Sequence, residues 1–323
     1  MPAVKDRLIA AGYSLGWSLV CKLPESWAQR GFEFFADLAW RREGPSVRRL
    51  ETNLVRVLGP DVDGKELRAV SRLGMRSYAR YWLEVFRLPV MPVSRLIEGM
   101  DAQGPFDEAF GYLRVGRGVV FALPHMGNWD QAGAWIVAQG AGTISTVMER
   151  LKPESLYERF VAFREGLGME VLPASGGSTR PFGILAQRLR AGKVVVLVAD
   201  RDVTGTGIEV DFFGEKCMMQ PGSAALAIQT GAALMPVILW FDGDGWGVRI
   251  GHEIPVPELA SRKDQVAAMT QEVARFFEDG IREHPQDWHM LQPLFLADLD
   301  PERLAAARAR AARNGQLTNQ DAS

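Results

Sequence analysis

Val119-Val120-Phe121-Ala122-Leu123-Pro124-His125-Met126-Gly127-Asn128-Trp129-Asp130 decides the fold. Its first five residues are uniformly apolar and end at a proline. A run this short reads as a strand buried on both faces, as in a parallel sheet. From Asn128 to about residue 139 the spacing turns helical. His125 and Asp130 therefore stand between a buried strand and a helix start. That is the carboxyl edge of the sheet, where open α/β folds bind their ligands.

Downstream of this stretch the alternation continues. Residues 142–147 are β-branched and strand-like, 153–167 helical, 170–172 a strand, and 180–190 a helix with Gly192 as C-cap. Residues 194–199 form a second fully apolar strand, followed by a glycine-rich loop over 201–221. An apolar helix at 222–230 ends at Gly231, strands follow at 233–241 and 246–250, and a long helix covers 263–284. The alternation predicts an α/β fold: one domain over 1–315 with a central, mainly parallel sheet flanked by helices, and a disordered polar tail from 316.

Upstream the pattern is helical, over 65–98 and through the first 60 residues. Those 60 residues hold nine Lys and Arg against six Asp and Glu, interleaved with Trp17, Trp27, Phe32, Phe34, Phe35 and Trp40. Such amphipathic helices either lie on an anionic membrane surface through their aromatic residues or pack on the core with a solvated charged face.

Bulk properties exclude several classes. A chain of 323 residues with 47% hydrophobic content can bury a large core. A net charge of -2 gives no field that points to nucleic acid. Cys21 and Cys217 form no metal spacing and no disulfide framework, which suits a reducing compartment. The four histidines are scattered without nearby cysteine or glutamate pairs, so no metal site is expected. No Rossmann or phosphate-loop glycine pattern follows a strand. The apolar run over 8–20 is interrupted by Tyr13, Ser14 and Ser18 and is shorter than the ~20 residues of a spanning helix. The chain is expected on the cytoplasmic side, without crossing a bilayer.

The chemistry rests on His125 and Asp130. Their spacing does not place them on one helix face, which needs i, i+3 or i+4. With His125 in the loop, Asp130 in the first helical turn and Gly127 permitting the turn, the two can meet. Asp130 would then hold His125 Nδ1–H, and Nε2 would take a proton from an acceptor hydroxyl, itself the nucleophile.

This His-(four residues)-Asp box, within Pro124-His125-Met126-Gly127-Asn128-Trp129-Asp130, resembles that of the glycerolipid acyltransferase superfamily, in the branch of the late acyltransferases of lipid A assembly. The resemblance covers about residues 70–295. Met148-Glu149-Arg150 followed by Arg164, Asp200-Arg201-Asp202, Val210-Asp211-Phe212-Phe213-Gly214, the segment from Gly231 to Pro236, and Pro285-Gln286-Asp287-Trp288 fit further blocks in order. The lipid A enzymes close with Trp-x-His-x-Arg-Phe, whereas Trp288-His289-Met290-Leu291-Gln292 here lacks that arginine. The pattern looks more like the actinobacterial relatives that acylate phosphatidylinositol mannosides.

The resemblance implies transfer of a palmitoyl-type chain from acyl-CoA, a substrate and not a cofactor, to a mannose hydroxyl of a membrane glycolipid. The enzyme would sit peripherally on the cytoplasmic face of the cell membrane. A lipid A precursor or a lysophospholipid as acceptor, a hydrolase, and a non-catalytic lipid-binding protein are the alternatives. Among supporting residues, Asp200 ends an apolar strand at the same sheet edge and is the strongest further catalytic candidate, with Asp202 beside it. Glu149 could bind sugar hydroxyls, or else an arginine. Arg164 could meet a phosphate or polarise the thioester carbonyl. Thr206 offers a hydroxyl in a Gly-Thr-Gly turn. Gln229, the large polar residue on a helix of small ones, could stand near the polar end of an acyl chain, and Met218-Met219 could line its channel.

Overall fold

A computed structural model describes residues 16–299 apart from 18, 151, 175–180 and 203–206, together with residue 305. Thr206 and the tail from 316 lie outside the described residues, as does most of the run over 8–20.

Nine strands are described: β1 (Met100–Gln103), β2 (Val119–Leu123), β3 (Ile144–Met148), β4 (Met169–Pro173), β5 (Val194–Val198), β6 (Ile208–Phe212), β7 (Glu215–Met219), β8 (Ala233–Asp242) and β9 (Gly245–Ile250). Seven of them form one sheet in the order β1-β9-β8-β2-β5-β3-β4. All neighbours run parallel except β8 and β9, which are joined by a tight turn. The expected mainly parallel sheet is the one observed. Strand β1, Met-Asp-Ala-Gln, is a mostly exposed edge strand whose composition carries no strand signal. The glycine-rich segment expected as loop over 201–221 contains the β6–β7 hairpin, turning at Phe213 and Gly214, both at positive φ. Positive φ at both central residues is what a tight hairpin turn needs.

The helices are α1 (Glu25–Arg41), α2 (Pro45–Leu58), α3 (Gly64–Arg87), α4 (Val93–Glu98), α5 (Phe106–Arg114), α6 (Trp129–Ile136), α7 (Glu154–Gly166), α8 (Pro181–Arg190), α9 (Gly222–Thr230) and α10 (Arg262–Glu283). They cover both faces of the sheet. Val120, Ala122 and Val195 pack towards α8, α9 and α10, while Val119, Phe121, Leu123 and Val194 pack towards α5 and α6. Alternate residues of one uniformly apolar strand thus serve two cores, which is why β2 shows no polar positions.

The N-terminal helices do pack. Ala36, Val47, Leu50, Leu54 and Met75 tie α1, α2 and α3 into a core of their own. Arg72 and Arg76 of α3 both pair with Asp37 of α1, and these arginines hold its carboxyl well below the usual carboxylate range. Yet Trp27, Phe34 and Phe35 remain exposed, at 67%, 62% and 67%. One face of α1 is thus core, as the packing reading expects, and another presents large aromatics to solvent. Among the described residues no helix is long and apolar enough to cross a membrane.

Candidate active site

The site follows from strand register. In the parallel pair β2–β5, Leu123 is opposite Val198, and Leu123 O accepts from Ala199 N–H at 2.8 Å. Two residues past each partner stand His125 and Asp200. His125 Nδ1 lies 2.6 Å from Asp200 Oδ1, and Asp200 Oδ2 accepts from the His125 backbone N–H at 3.0 Å and from the Trp288 indole N–H at 3.1 Å. Burial alone would raise the Asp200 carboxyl, but the His125 charge, its two hydrogen bonds and the Trp288 indole outweigh it and hold the carboxyl below its ordinary value. An ionised Asp200 accepts, so Nδ1 carries a proton, and in the neutral tautomer this fixes Nε2 as the acceptor nitrogen. Asp200 is fully buried, while the His125 side chain is 40% exposed on the wall of a cleft.

The expected contact between His125 and Asp130 is replaced by another. Asp130 sits in the first turn of α6 with 0% exposure, and its carboxylate takes Arg164 Nε at 2.7 Å and Nη2 at 3.3 Å, and the Tyr81 hydroxyl at 3.0 Å. The side chain points down against α3 and α7, so the carboxylate that reaches the histidine comes from the neighbouring strand. Arg164 is correspondingly buried beneath the cleft, with its guanidinium 4.2 Å from the centroid of the Trp129 ring, and does not line the cleft wall. Burial would lower its pKa, but Asp130 more than compensates and keeps it cationic.

Other expected residues fall apart from this centre. Glu149 lies exposed just past β3, two strands from β2, roughly 10 Å away by strand spacing. Asp202 is turned into its own loop, accepting from Gly207 N–H and Gln220 Nε2, both at 2.8 Å. Gln229 is exposed in the last turn of α9, which leads into the start of β8 and so lies at the amino edge of the sheet, opposite His125. Its Oε1 meets Arg262 at 3.4 Å. Met219 is fully buried in the core and is not among the residues that line the cleft.

The cleft has a volume of about 680 Å³. Tyr78, Tyr81 and Trp82 of α3 form one wall, His125, Trp129 and Arg201 another, and the segment 289–292 the floor. Tyr78 and Trp82 are shared with a larger apolar groove of about 1110 Å³, walled by Phe32 and Phe35 of α1, Met75 and Phe86 of α3, and Leu156 and Phe160 of α7. The groove runs from the cleft lined by His125 to the exposed aromatic face of α1.

Sequence reasoning gave no role to the residues that fasten the His125 loop. The His289 N–H donates to His125 O at 2.7 Å, and Gly127 N–H donates to Asp287 O at 2.9 Å. Ser77 Oγ lies 2.6 Å from Asp287 Oδ1 and 2.8 Å from His289 Nε2, so α3 ties the C-terminal segment to the loop. Glu84 of α3 takes Asn128 Nδ2 and Trp246 Nε1, each at 2.7 Å, and Asn128 caps α6 by accepting from Gln131 N–H at 3.0 Å. The one legible signal was a glutamate and a serine on the apolar stripe of α3, where both are buried. His289 is half-buried at the base of the cleft, with its pKa pushed down to about 3 by desolvation and then by His125, so it stays neutral.

Two expected outcomes follow. Gly127 has φ 57, and a Cβ there would lie 2.8 Å from the Leu239 carbonyl carbon. Gly127→Ala therefore combines left-handed strain with a backbone clash and should cost at least ~2 kcal/mol in urea denaturation; a variant as stable as the wild type would contradict this loop geometry. Asp287 gives a pH signature. Burial pushes its carboxyl from 3.8 up to about 6. A proton bound more tightly in the folded state adds stability that is full below pH ~3.8 and lost as pH rises through ~6, a fall of about 3 kcal/mol. In Asp287→Asn that fall is absent. Its change in unfolding free energy from pH ~4 to ~7 should be more positive than the wild type's by about 2–3 kcal/mol, and parallel curves would refute the assignment.

Residues 6–297 match the family model described as bacterial lipid A biosynthesis acyltransferase. The chain is 50% identical over 295 residues to a phosphatidylinositol mannoside acyltransferase of Mycolicibacterium smegmatis, covering 91% of this chain and 93% of that protein. It is 49% identical over 301 residues to the protein of the same description from Mycobacterium tuberculosis, covering 92% of each.

Proposed function

Because this chain belongs to the bacterial lipid A biosynthesis acyltransferase family, we propose that it moves a palmitoyl-type chain from acyl-CoA to a mannose hydroxyl of a phosphatidylinositol mannoside, with His125 as general base. The observation that carries the mechanism is the His125–Asp200 pair, which fixes Nε2 as the acceptor nitrogen on the cleft wall. Nε2 takes the proton of the acceptor hydroxyl as its oxygen attacks the thioester carbonyl. A C–O bond forms, the tetrahedral oxyanion collapses, the C–S bond breaks, and the imidazolium returns its proton to the departing CoA sulfur. Asp200 fixes the ring and its tautomer and balances the transient imidazolium charge.

The apolar groove that shares Tyr78 and Trp82 with the cleft supports an acyl chain held alongside the reacting carbonyl. The exposed Trp27, Phe34 and Phe35 on α1 support peripheral docking at the membrane where both lipids reside. The names of the relatives support a mannoside acceptor.

The test is free CoA released from palmitoyl-CoA by the wild type alone, with phosphatidylinositol mannoside, with a lipid A precursor and with a lysophospholipid, with the acylated product identified by mass. Release that depends on the mannoside and yields its acyl ester is the expected result. Release that depends on another lipid would move the acceptor, and release equal in all arms would make the protein a thioesterase.

A further inference from the structure

Arg201 is the cation that the mechanism above leaves without work. It follows Asp200 directly, so its Cα stands about 3.8 Å along the chain from the residue that holds the base, and its side chain lines the same cleft as His125. Its Nε is buried and has no hydrogen-bond partner among the described residues. The carboxylates on either side of it are committed elsewhere, Asp200 to His125 and Trp288, Asp202 to Gly207 and Gln220. Other buried or half-buried arginines are paired: Arg164 with Asp130, Arg80 with Glu84, Arg76 with Asp37. Among the described residues, no carboxylate lines the cleft wall. A guanidinium with a desolvated Nε and no counter-ion among the described residues is matched by an anion that arrives from outside, and its planar fork fits a phosphate.

We propose that Arg201 is the anion-binding residue of the catalytic cleft and that it receives a phosphate ester of the substrate. The inference rests on the function proposed above for its choice of ligand. Two phosphates could serve, the phosphodiester of the acceptor lipid and the phosphates of CoA. The geometry favours the acceptor. Arg201 is next to the residue that holds the base, and in a phosphatidylinositol mannoside only the inositol ring separates mannose from phosphodiester. The phosphates of CoA lie beyond a pantetheine arm much longer than an arginine side chain. Arg201 thereby anchors the acceptor headgroup at the cleft and discriminates against neutral glycolipids.

The experiment compares wild type, Arg201→Ala and Arg201→Lys. Steady-state rates are measured against the mannoside, with palmitoyl-CoA or S-palmitoyl-pantetheine as donor. The expected result is a KM for the mannoside raised roughly 10- to 100-fold in Arg201→Ala with either donor, partly restored by lysine, with kcat little changed. A defect that appears as KM for palmitoyl-CoA and vanishes with the pantetheine thioester assigns the phosphate to the donor and keeps the anion site. A loss of kcat with both KM values unchanged would overturn it in favour of an oxyanion role, and unchanged kinetics would overturn it outright. Calorimetric binding of myo-inositol 1-phosphate and of CoA to the same proteins separates this inference from the proposed reaction. Binding weakened by Arg201→Ala in a protein that does not turn over the mannoside would retire the reaction and keep the site, while a wild type that binds neither probe would retire the site.

Discussion

His125→Ala and Asp200→Asn are each expected to lower kcat by about 10³-fold or more, and the double variant to be no worse than the single ones. The asparagine case is the more telling. Asp200 Oδ2 accepts from the His125 backbone N–H and from the Trp288 indole, so the amide oxygen of an asparagine takes that place and its NH₂ group falls opposite His125 Nδ1. The NH₂ can only donate. It therefore forces the imidazole proton onto Nε2, where the ring can no longer accept from the acceptor hydroxyl. Packing and two of the three hydrogen bonds survive, so stability in urea should stay within ~1 kcal/mol of the wild type while turnover collapses. KM values should move little, because neither side chain is asked to hold the ground state. An Asp200→Asn enzyme that keeps more than about a tenth of the wild-type kcat would remove Asp200 from the mechanism. Strongly additive losses in the double variant would show that the two residues do not act as a unit.

The same pair shows where the sequence is legible and where it stops. Strands β2 and β5 are readable because each is an uninterrupted apolar run, and the loop after each must then lie on one sheet edge. His125, Asp130 and Asp200 can all be placed at that edge from the chain alone. Which carboxylate meets the imidazole depends on strand order, and β2 pairs with β5 across two intervening strands in sequence. No local pattern encodes that. Asp130 is the carboxylate nearer His125 in sequence, but the first turn of α6 directs it towards Tyr81 and Arg164. Gln229 is ambiguous for a related reason: a polar residue among small apolar ones marks solvent as readily as a ligand, and the direction of α9 decides which. The Ser77–Asp287–His289 chain spans more than 200 residues of sequence, and only the packing of α3 against the C-terminal segment brings it together. The exposed edge strand β1 had no apolar signal to read.

Arg164→Met is expected to destabilise the protein by roughly 3–5 kcal/mol, because it leaves the carboxylate of Asp130 buried with only the Tyr81 hydroxyl for company. Methionine keeps most of the volume of the arginine stem, so the loss reports charge and not a cavity. The companion Asp130→Leu/Arg164→Met removes both charges. It should recover most of that stability, since a buried pair contributes little net once desolvation is counted. Urea denaturation of the two proteins and the wild type tests this, and a single variant as stable as the wild type would mean that the pair is hydrated and not buried. Activity then separates structure from positioning. Arg164 lies on the ring of Trp129, which walls the cleft, and Asp130 anchors the first turn of the helix that follows His125. If the pair aims the His125 loop, the double variant will be stable yet slow, with kcat reduced and KM for the lipid acceptor raised together. If it returns to wild-type rates, the His-(four residues)-Asp box keeps its aspartate here for folding alone, and catalysis belongs to the carboxylate that arrives from β5.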